Sequence, residues 1–209
     1  MSQQQTKNRI TLQGSAQIIC EYLKFAINSV LFQRSLCPPE TYKTEQQYGI
    51  TLLLSEDAEI KSFLTKVLTQ TEEWILNKKI SKLSLVIFNV ANKEILECWE
   101  FNVQYEDGDA ALSKENNETV GTRGIDLKQI QRKIRQVMLQ IAATISYLPP
   151  LDCQCSFEFL ANIKDDCDVP ENWTVSKPVY IANSQNFPFK IFSTSLHKMA
   201  TVVSYKFVD

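Results

Sequence analysis

The clearest pattern of apolar and polar positions lies between Gly124 and Ile163. Ile130, Ile134, Val137, Met138, Ile141 and Ile145 recur at steps of three and four, which puts them on one face of a long helix. Asp126 is the expected N-cap, because its carboxylate can accept from an orphan N–H of the first turn. Pro149-Pro150 ends the helix, since neither residue has an N–H to donate. The period then becomes two: Cys153, Cys155, Phe157 and Phe159 point one way, and Gln154, Ser156 and Glu158 the other. A helix running directly into a half-buried strand predicts a helix packed across a sheet, with the rest of the chain attached to that unit.

Upstream, Ile10-Thr11-Leu12 is a short apolar step, and Ser15 is the candidate N-cap of a first helix. That helix carries a stripe of Ile19, Leu23, Ala26, Ile27, Val30 and Leu31, closed off by Pro38-Pro39. Tyr48 to Leu54 is an apolar run that suits strand or turn. Ser55, followed by Glu56 and Asp57, suits the start of a second helix, with Ile60, Phe63, Leu64, Val67, Leu68, Trp74 and Ile75 on its core face. Ile80 to Val90 is rich in β-branched and apolar residues, as in a strand buried on both sides. Ala91-Asn92-Lys93 turns it into a hairpin partner, Glu94 to Tyr105, whose Ile95, Trp99, Phe101, Val103 and Tyr105 share one side. Residues 107–123 read as a long polar loop. Beyond Lys164 come an acidic, proline-containing stretch and three β-like segments: Val179 to Ala182, Phe189 to Leu196 and Ala200 to Val208. The whole predicts one α+β domain, with three helices on one side of a mostly antiparallel sheet.

Composition narrows the function. The chain has 209 residues, 44% hydrophobic and 22% charged, enough for one large core. A net charge of −2 argues against a general nucleic-acid binder, which presents a basic face. No apolar run approaches the ~20 residues that span a bilayer. The polar start, MSQQQTKNRI, has no signal-like apolar segment, so a reducing compartment and six free thiols are expected. Cys153-x-Cys155 resembles half of a metal site, but the further ligands are missing and His197 is the one histidine. His197 is expected to be structural, because no nucleophile or orienting group accompanies it. Five glycines form neither GxGxxG nor GxxxxGK[ST], and Asp165-Asp166-Cys167-Asp168 lacks the spacing of a calcium loop. No cofactor, metal or catalytic residue is assigned; the chemistry points to a binding module and not an enzyme.

The order and spacing of longer segments resemble those of the HORMA-domain proteins, specifically the spindle-checkpoint branch. These are ITLQGSAQIICEYLKFAINSVLFQR, TYKTEQQYGITLLL, EEWI, LECWEF, IRQVMLQIAATISYLP, LDCQCSFEFL, DVPENW and FSTSLHKM before VVSYK, together covering about Ile10 to Lys206. The resemblance implies a single domain over 1–209, with a movable arm (1–13), a core (14–160) and a carboxy-terminal "safety belt" (161–209). It implies a peptide clamp with open and closed forms. A ligand strand adds to the edge of Cys153, Gln154, Cys155, Ser156, Phe157, Glu158, Phe159 and Leu160, and the belt folds over it. In the open form the belt occupies that edge; in the closed form it crosses to the strand containing Trp99. Read from the residues alone, the last strands are fixed parts of the sheet. An exposed strand edge is nevertheless a ready site for an added strand.

The same resemblance assigns Trp173, Phe192, His197, Val202, Val203, Tyr205 and Phe207 to the belt, and Leu12, Trp74 and Trp99 to control of the conformer. It assigns Arg135, Gln136, Leu139, Gln140, Ala143 and Tyr147 to a face for dimerisation and antagonist binding. Helical spacing independently sends Gln136, Leu139, Ala143 and Tyr147 away from the core stripe. Leu139 departs from the family, which has an arginine there. The implied partners are a coiled-coil kinetochore receptor, the activator subunit of the anaphase-promoting complex, a HORMA-like antagonist, an AAA+ ATPase and a second copy of the chain. No nucleic acid or membrane is among them. The implied location is nucleus, kinetochore and cytoplasm, with the nuclear envelope in interphase. An accessory subunit of a translesion DNA polymerase, which shares the fold, is the alternative.

Overall fold

Helix α1 (Leu12–Gln33) occupies the centre of a computed structural model that describes residues 10–106, 126–167 and 169–207. The expected stripe from Ile19 to Leu31 is fully buried, and so are Ser15, Tyr22, Phe25 and Asn28 on its other sides. The helix packs on all its neighbours: α2 (Ala58–Leu76), α3 (Leu127–Thr144), strand β2 (Ile50–Ser55) and the last strand. It is therefore α1, and not the helix beginning near Asp126, that the other elements surround. Its N-cap is Thr11, whose Oγ1 accepts from Gly14 N at 3.0 Å. Ser15, the residue expected there, lies inside the helix and is buried.

Helix α3 has its expected cap, Asp126, and buries Ile130, Ile134, Val137, Met138 and Ile141. It ends at Thr144, where the chain turns through Tyr147 N to Thr144 O at 2.9 Å. Thr144 completes the buried stripe, and Ile145 is left 45% exposed rather than in the core. Helix α2 is capped by Asp57, which accepts from the N–H groups of Glu59 and Ile60, and not by Ser55. Phe63, expected in its core, is exposed and leans on Phe157 and Phe159.

A short hairpin precedes α2. Strand β1 (Tyr42–Gln47) pairs with β2 through a two-residue turn at Tyr48-Gly49, both at positive φ (53° and 72°). This is the backbone that a tight hairpin needs, and glycine supplies it without a Cβ clash. The main sheet has the order β5-β3-β4-β8-β6, from β3 (Ile80–Asn89), β4 (Ile95–Tyr105), β5 (Cys155–Ile163), β6 (Ser184–Pro188) and β8 (His197–Lys206). Short β7 (Phe192–Ser193) also pairs with β8, and every ladder is antiparallel.

Leu83, Leu85 and Ile87 of β3 enter the main core, whereas Val86 joins Cys98 and Ile181 in a second cluster. That division matches a strand buried on both faces. The register shifts between Ile87 and Phe88, which pair with Glu97 and Ile95 respectively. One extra residue on β4 moves Ile95 off the Trp99 side and into the second cluster, contrary to the simple alternation. Near the carboxy terminus, Val179 to Ala182 forms no ladder, and of Phe189 to Leu196 only Phe192–Ser193 does. The expected polar loop at 107–123, the arm through residue 9, Asp168 and Val208 lie outside the described residues.

Candidate functional site

β5 ends the sheet. It is hydrogen-bonded to β3 from Ile80↔Ile163 to Asn89↔Cys155, and no described strand takes its other side. Such an edge offers unpaired N–H and C=O groups to an added strand. Cys153 and Gln154 precede the ladder, and the strand runs on past Leu160 to Ile163. The ladder thus starts two residues after Cys153 and ends three after Leu160, and Gln154 O, just before it, still accepts from Val90 N at 2.9 Å.

The segment after β5 crosses the sheet as a strap. It is tied down first by Lys164 N to Lys79 O (2.8 Å) and by the Lys79–Asp166 ion pair (2.6 Å). Asp166 is thereby held below the usual carboxylate range. Trp173 then meets Trp74 edge-to-face at 5.0 Å, and Ile181 plugs the second cluster against Val86 and Cys98. Between strap and sheet lies a cavity of about 570 Å³, walled by β5 residues from Phe159, by the strap from Trp173 to Val179, and by Ser84 and the Lys82–Glu100 pair. Sequence periodicity missed Lys82, Ser84 and Glu100 as wall residues, since they merely alternate with the core side of β3 and β4.

β8 closes the other half of the sheet. It pairs with β4 from Glu97↔Tyr205 to Tyr105↔His197, setting Val203 against Trp99 and Val202 against Glu100. Met199, Thr201 and Val203 are buried. Phe192 packs edge-on to Tyr22 at 5.0 Å, Phe189 stacks on Trp99 at 5.7 Å, and Tyr205 donates to Gln185 at 3.0 Å. Phe207 is exposed, and its N–H donates to Asn183 O.

His197 is structural in its contacts. Its Nδ1 lies 2.6 Å from Ser15 Oγ, which also bonds Thr194 Oγ1, and Thr194 Oγ1 accepts from His197 N. The buried Ser15 of α1 is thus fastened to the β7–β8 corner. Burial lowers the His197 pKa, the charge of Lys78 adding to this and that of Glu106 opposing it. A second buried bond, Tyr22 Oη to Thr201 Oγ1 at 2.7 Å, ties α1 to the middle of β8.

Of the remaining residues, Leu12 opens α1 and is partly exposed, while Trp74 and Trp99 are buried. Arg135, Gln136, Leu139, Ala143 and Tyr147 lie on the solvent side of α3 or just after it, with Gln140 half-buried among them. Gln140 Oε1 accepts from Lys190 N at 2.8 Å, and Gln136 Oε1 from Lys190 Nζ at 3.3 Å. Tyr147 stacks on Phe187 at 6.3 Å. This face is therefore built jointly from α3 and the β6–β7 connection. Among the described residues no group of three or more His, Cys, Asp and Glu is placed to hold a metal ion.

The model of the HORMA domain matches residues 15–202. The chain belongs to the HORMA-domain family. This HORMA protein is 39% identical over 197 residues to the human mitotic spindle assembly checkpoint protein MAD2A, covering 94% of this chain and 93% of that one. It superposes with a TM-score of 0.80 on a chain in the crystal structure of the mitotic checkpoint complex, at 34% identity, covering 93% of this chain and 99% of that one. A structure of C. elegans HTP-2 bound to the HIM-3 closure motif shares the fold, with a TM-score of 0.77 at 12% identity over 99% of this chain and 98% of that one.

Proposed function

We propose that this HORMA protein is a spindle-checkpoint peptide clamp that delays anaphase by entrapping a short segment of a partner. The observation that carries the reading is the free β5 edge beneath a strap tied down at both ends, with space between them. A ligand strand would pair with β5 through its backbone, and its side chains would fill the cavity beside Phe159 and the Lys82–Glu100 pair. In this reading, β8 paired with β4 is the closed form. The open form would move β8 to the β5 edge, with Leu12, Trp74 and Trp99 changing surroundings.

The similarity to MAD2A and to a chain of the mitotic checkpoint complex supports the activator of the anaphase-promoting complex and a kinetochore receptor as ligands. The face of Arg135, Gln136, Leu139, Gln140, Ala143 and Tyr147 would take a second copy or a HORMA-like antagonist, with an AAA+ ATPase reopening the clamp. Action at the kinetochore, in nucleus and cytoplasm, follows from the same reading. The test is deletion of Ala200 to Asp209, which removes most of the ladder on β4. The shortened chain should stay folded yet fail to retain activator or receptor peptides by calorimetry. Undiminished affinity would overturn the clamp.

A further inference from the structure

Cys153 and Cys155 bring two thiols together outside the cavity under the strap. Their sulfurs are 3.6 Å apart, and Cys155 Sγ also lies 3.4 Å from the Cys153 carbonyl. An extended strand would not curl a residue back onto the carbonyl two positions earlier. The curl is anchored, because the carbonyl of Gln154 between them accepts from Val90 N in the β3–β4 turn. Cys153 is exposed and Cys155 half-buried, whereas Cys20, Cys37 and Cys98 are buried.

We propose that Cys153 and Cys155 form a reversible intramolecular disulfide, made by exchange with a small disulfide such as oxidised glutathione. Cys153 is the attacking sulfur because it is the exposed one. Burial, reinforced by the neighbouring Cys153, pushes the Cys155 thiol up to about 11, which suits it to second place. The Cys153 thiolate attacks one glutathione sulfur; the glutathione S–S bond breaks, and the departing thiolate takes up a proton. The Cys155 thiolate then attacks Cys153 Sγ in the mixed disulfide, and the second glutathione leaves with its proton. Two protein thiols are oxidised and one glutathione disulfide is reduced to two thiols.

A groove of about 260 Å³ beside Cys153, lined by Pro149, Leu151, Tyr205 and the Lys206–Glu94 ion pair, leaves that sulfur open to approach from solvent. Closing so small a ring strains it, and exposed or strained disulfides are the readily reduced kind. The bond would stiffen the connection from α3 into β5, whether or not β5 receives a peptide.

The full chain is equilibrated in glutathione buffers of rising disulfide share, quenched with acid, alkylated and digested with trypsin. Residues 136–164, bounded by Arg135 and Lys164, hold these two cysteines and no other. The expected product is that peptide, unalkylated and lighter by two hydrogens, making up more than half of the material in the most oxidising buffer and restored by dithiothreitol. Cys155→Ser should instead accumulate one glutathione on Cys153, and Cys153→Ser should form no internal bond. Two free thiols throughout, separate glutathione adducts on both, or a disulfide joining two chains would each overturn the proposal.

Discussion

Replacing Thr201 with valine removes one hydroxyl from the middle of β8 and leaves its shape nearly unchanged. In the native arrangement Thr201 Oγ1 lies 2.7 Å from Tyr22 Oη, and both side chains are sealed from solvent. Burial pushes the Tyr22 phenol well above its ordinary pKa, so it stays protonated and must find a partner. Its other close neighbours are the edges and faces of Phe101 and Phe192, which offer none of comparable strength. A buried hydroxyl left unsatisfied costs about 1–3 kcal/mol, against about 1 kcal/mol for the bond's net worth. Thr201→Val should therefore destabilise the β8-on-β4 arrangement by about 1–3 kcal/mol, or roughly 5- to 150-fold in its population. Tyr22→Phe should act similarly by orphaning the threonine. The double variant should be milder than the sum, because no polar group remains to be satisfied, and contacting groups couple by about 0.5–3 kcal/mol. Urea denaturation of the four proteins gives the cycle. Strict additivity, or Thr201→Val within about 0.3 kcal/mol of the parent, would refute the argument.

Three more outcomes are expected. His197 has a lowered folded pKa, so the unfolded chain binds the proton first; stability should be complete above the ordinary value of about 6.5 and fall as pH drops through the folded value. Urea titrations at pH about 7.5 and about 5.5 should show the loss, and His197→Gln should reduce it; an equal loss in the variant would exclude His197 as the source. Leu139→Glu and Tyr147→Glu, at residues 48% and 69% exposed, should weaken self-association in analytical ultracentrifugation while leaving peptide affinity nearly intact. Unchanged dimerisation would remove that face as the interface. In the proposed clamp, moving β8 between edges would break a whole ladder, so separated conformers should survive ion-exchange chromatography, and a single averaged set of NMR resonances would contradict this.

The sequence showed the helices through their apolar stripes, but it ranked them by the clarity of the stripe. A helix half in water has the sharpest pattern; one buried all round, like α1 with Tyr22 and Phe25 flanking its stripe, blurs it. The loudest signal thus marked α3, a covering helix, and the true centre read as ordinary. β1 went unseen because Tyr42–Gln47 is a polar strand beside β2, with nothing buried to mark it. Arg34 and Glu97 illustrate a different limit. Their buried contact at 2.5 Å, with Arg34 also donating to Pro149 O and Trp99 to Glu97, joins α1, β4 and the chain after α3. Nothing local in either residue's neighbourhood points to the other.

At the candidate site the sequence specified faces without specifying partners. The alternation of Met199, Thr201 and Val203 says which side chains of β8 turn inward, and those residues are indeed buried. It does not say which edge receives the strand, because backbone N–H and C=O groups are the same on every edge. What selects β4 lies elsewhere: Ser15 and Tyr22 on α1 meet His197 and Thr201 across the core, and Phe189 stacks on Trp99. Each is a contact between residues more than eighty positions apart, invisible to any periodic reading. The same degeneracy is what a clamp requires. A strand whose pattern is compatible with two edges can be held at one by a few removable side-chain bonds, and the edge it leaves vacant is then open to a ligand of any sequence that can extend its backbone and fill the cavity.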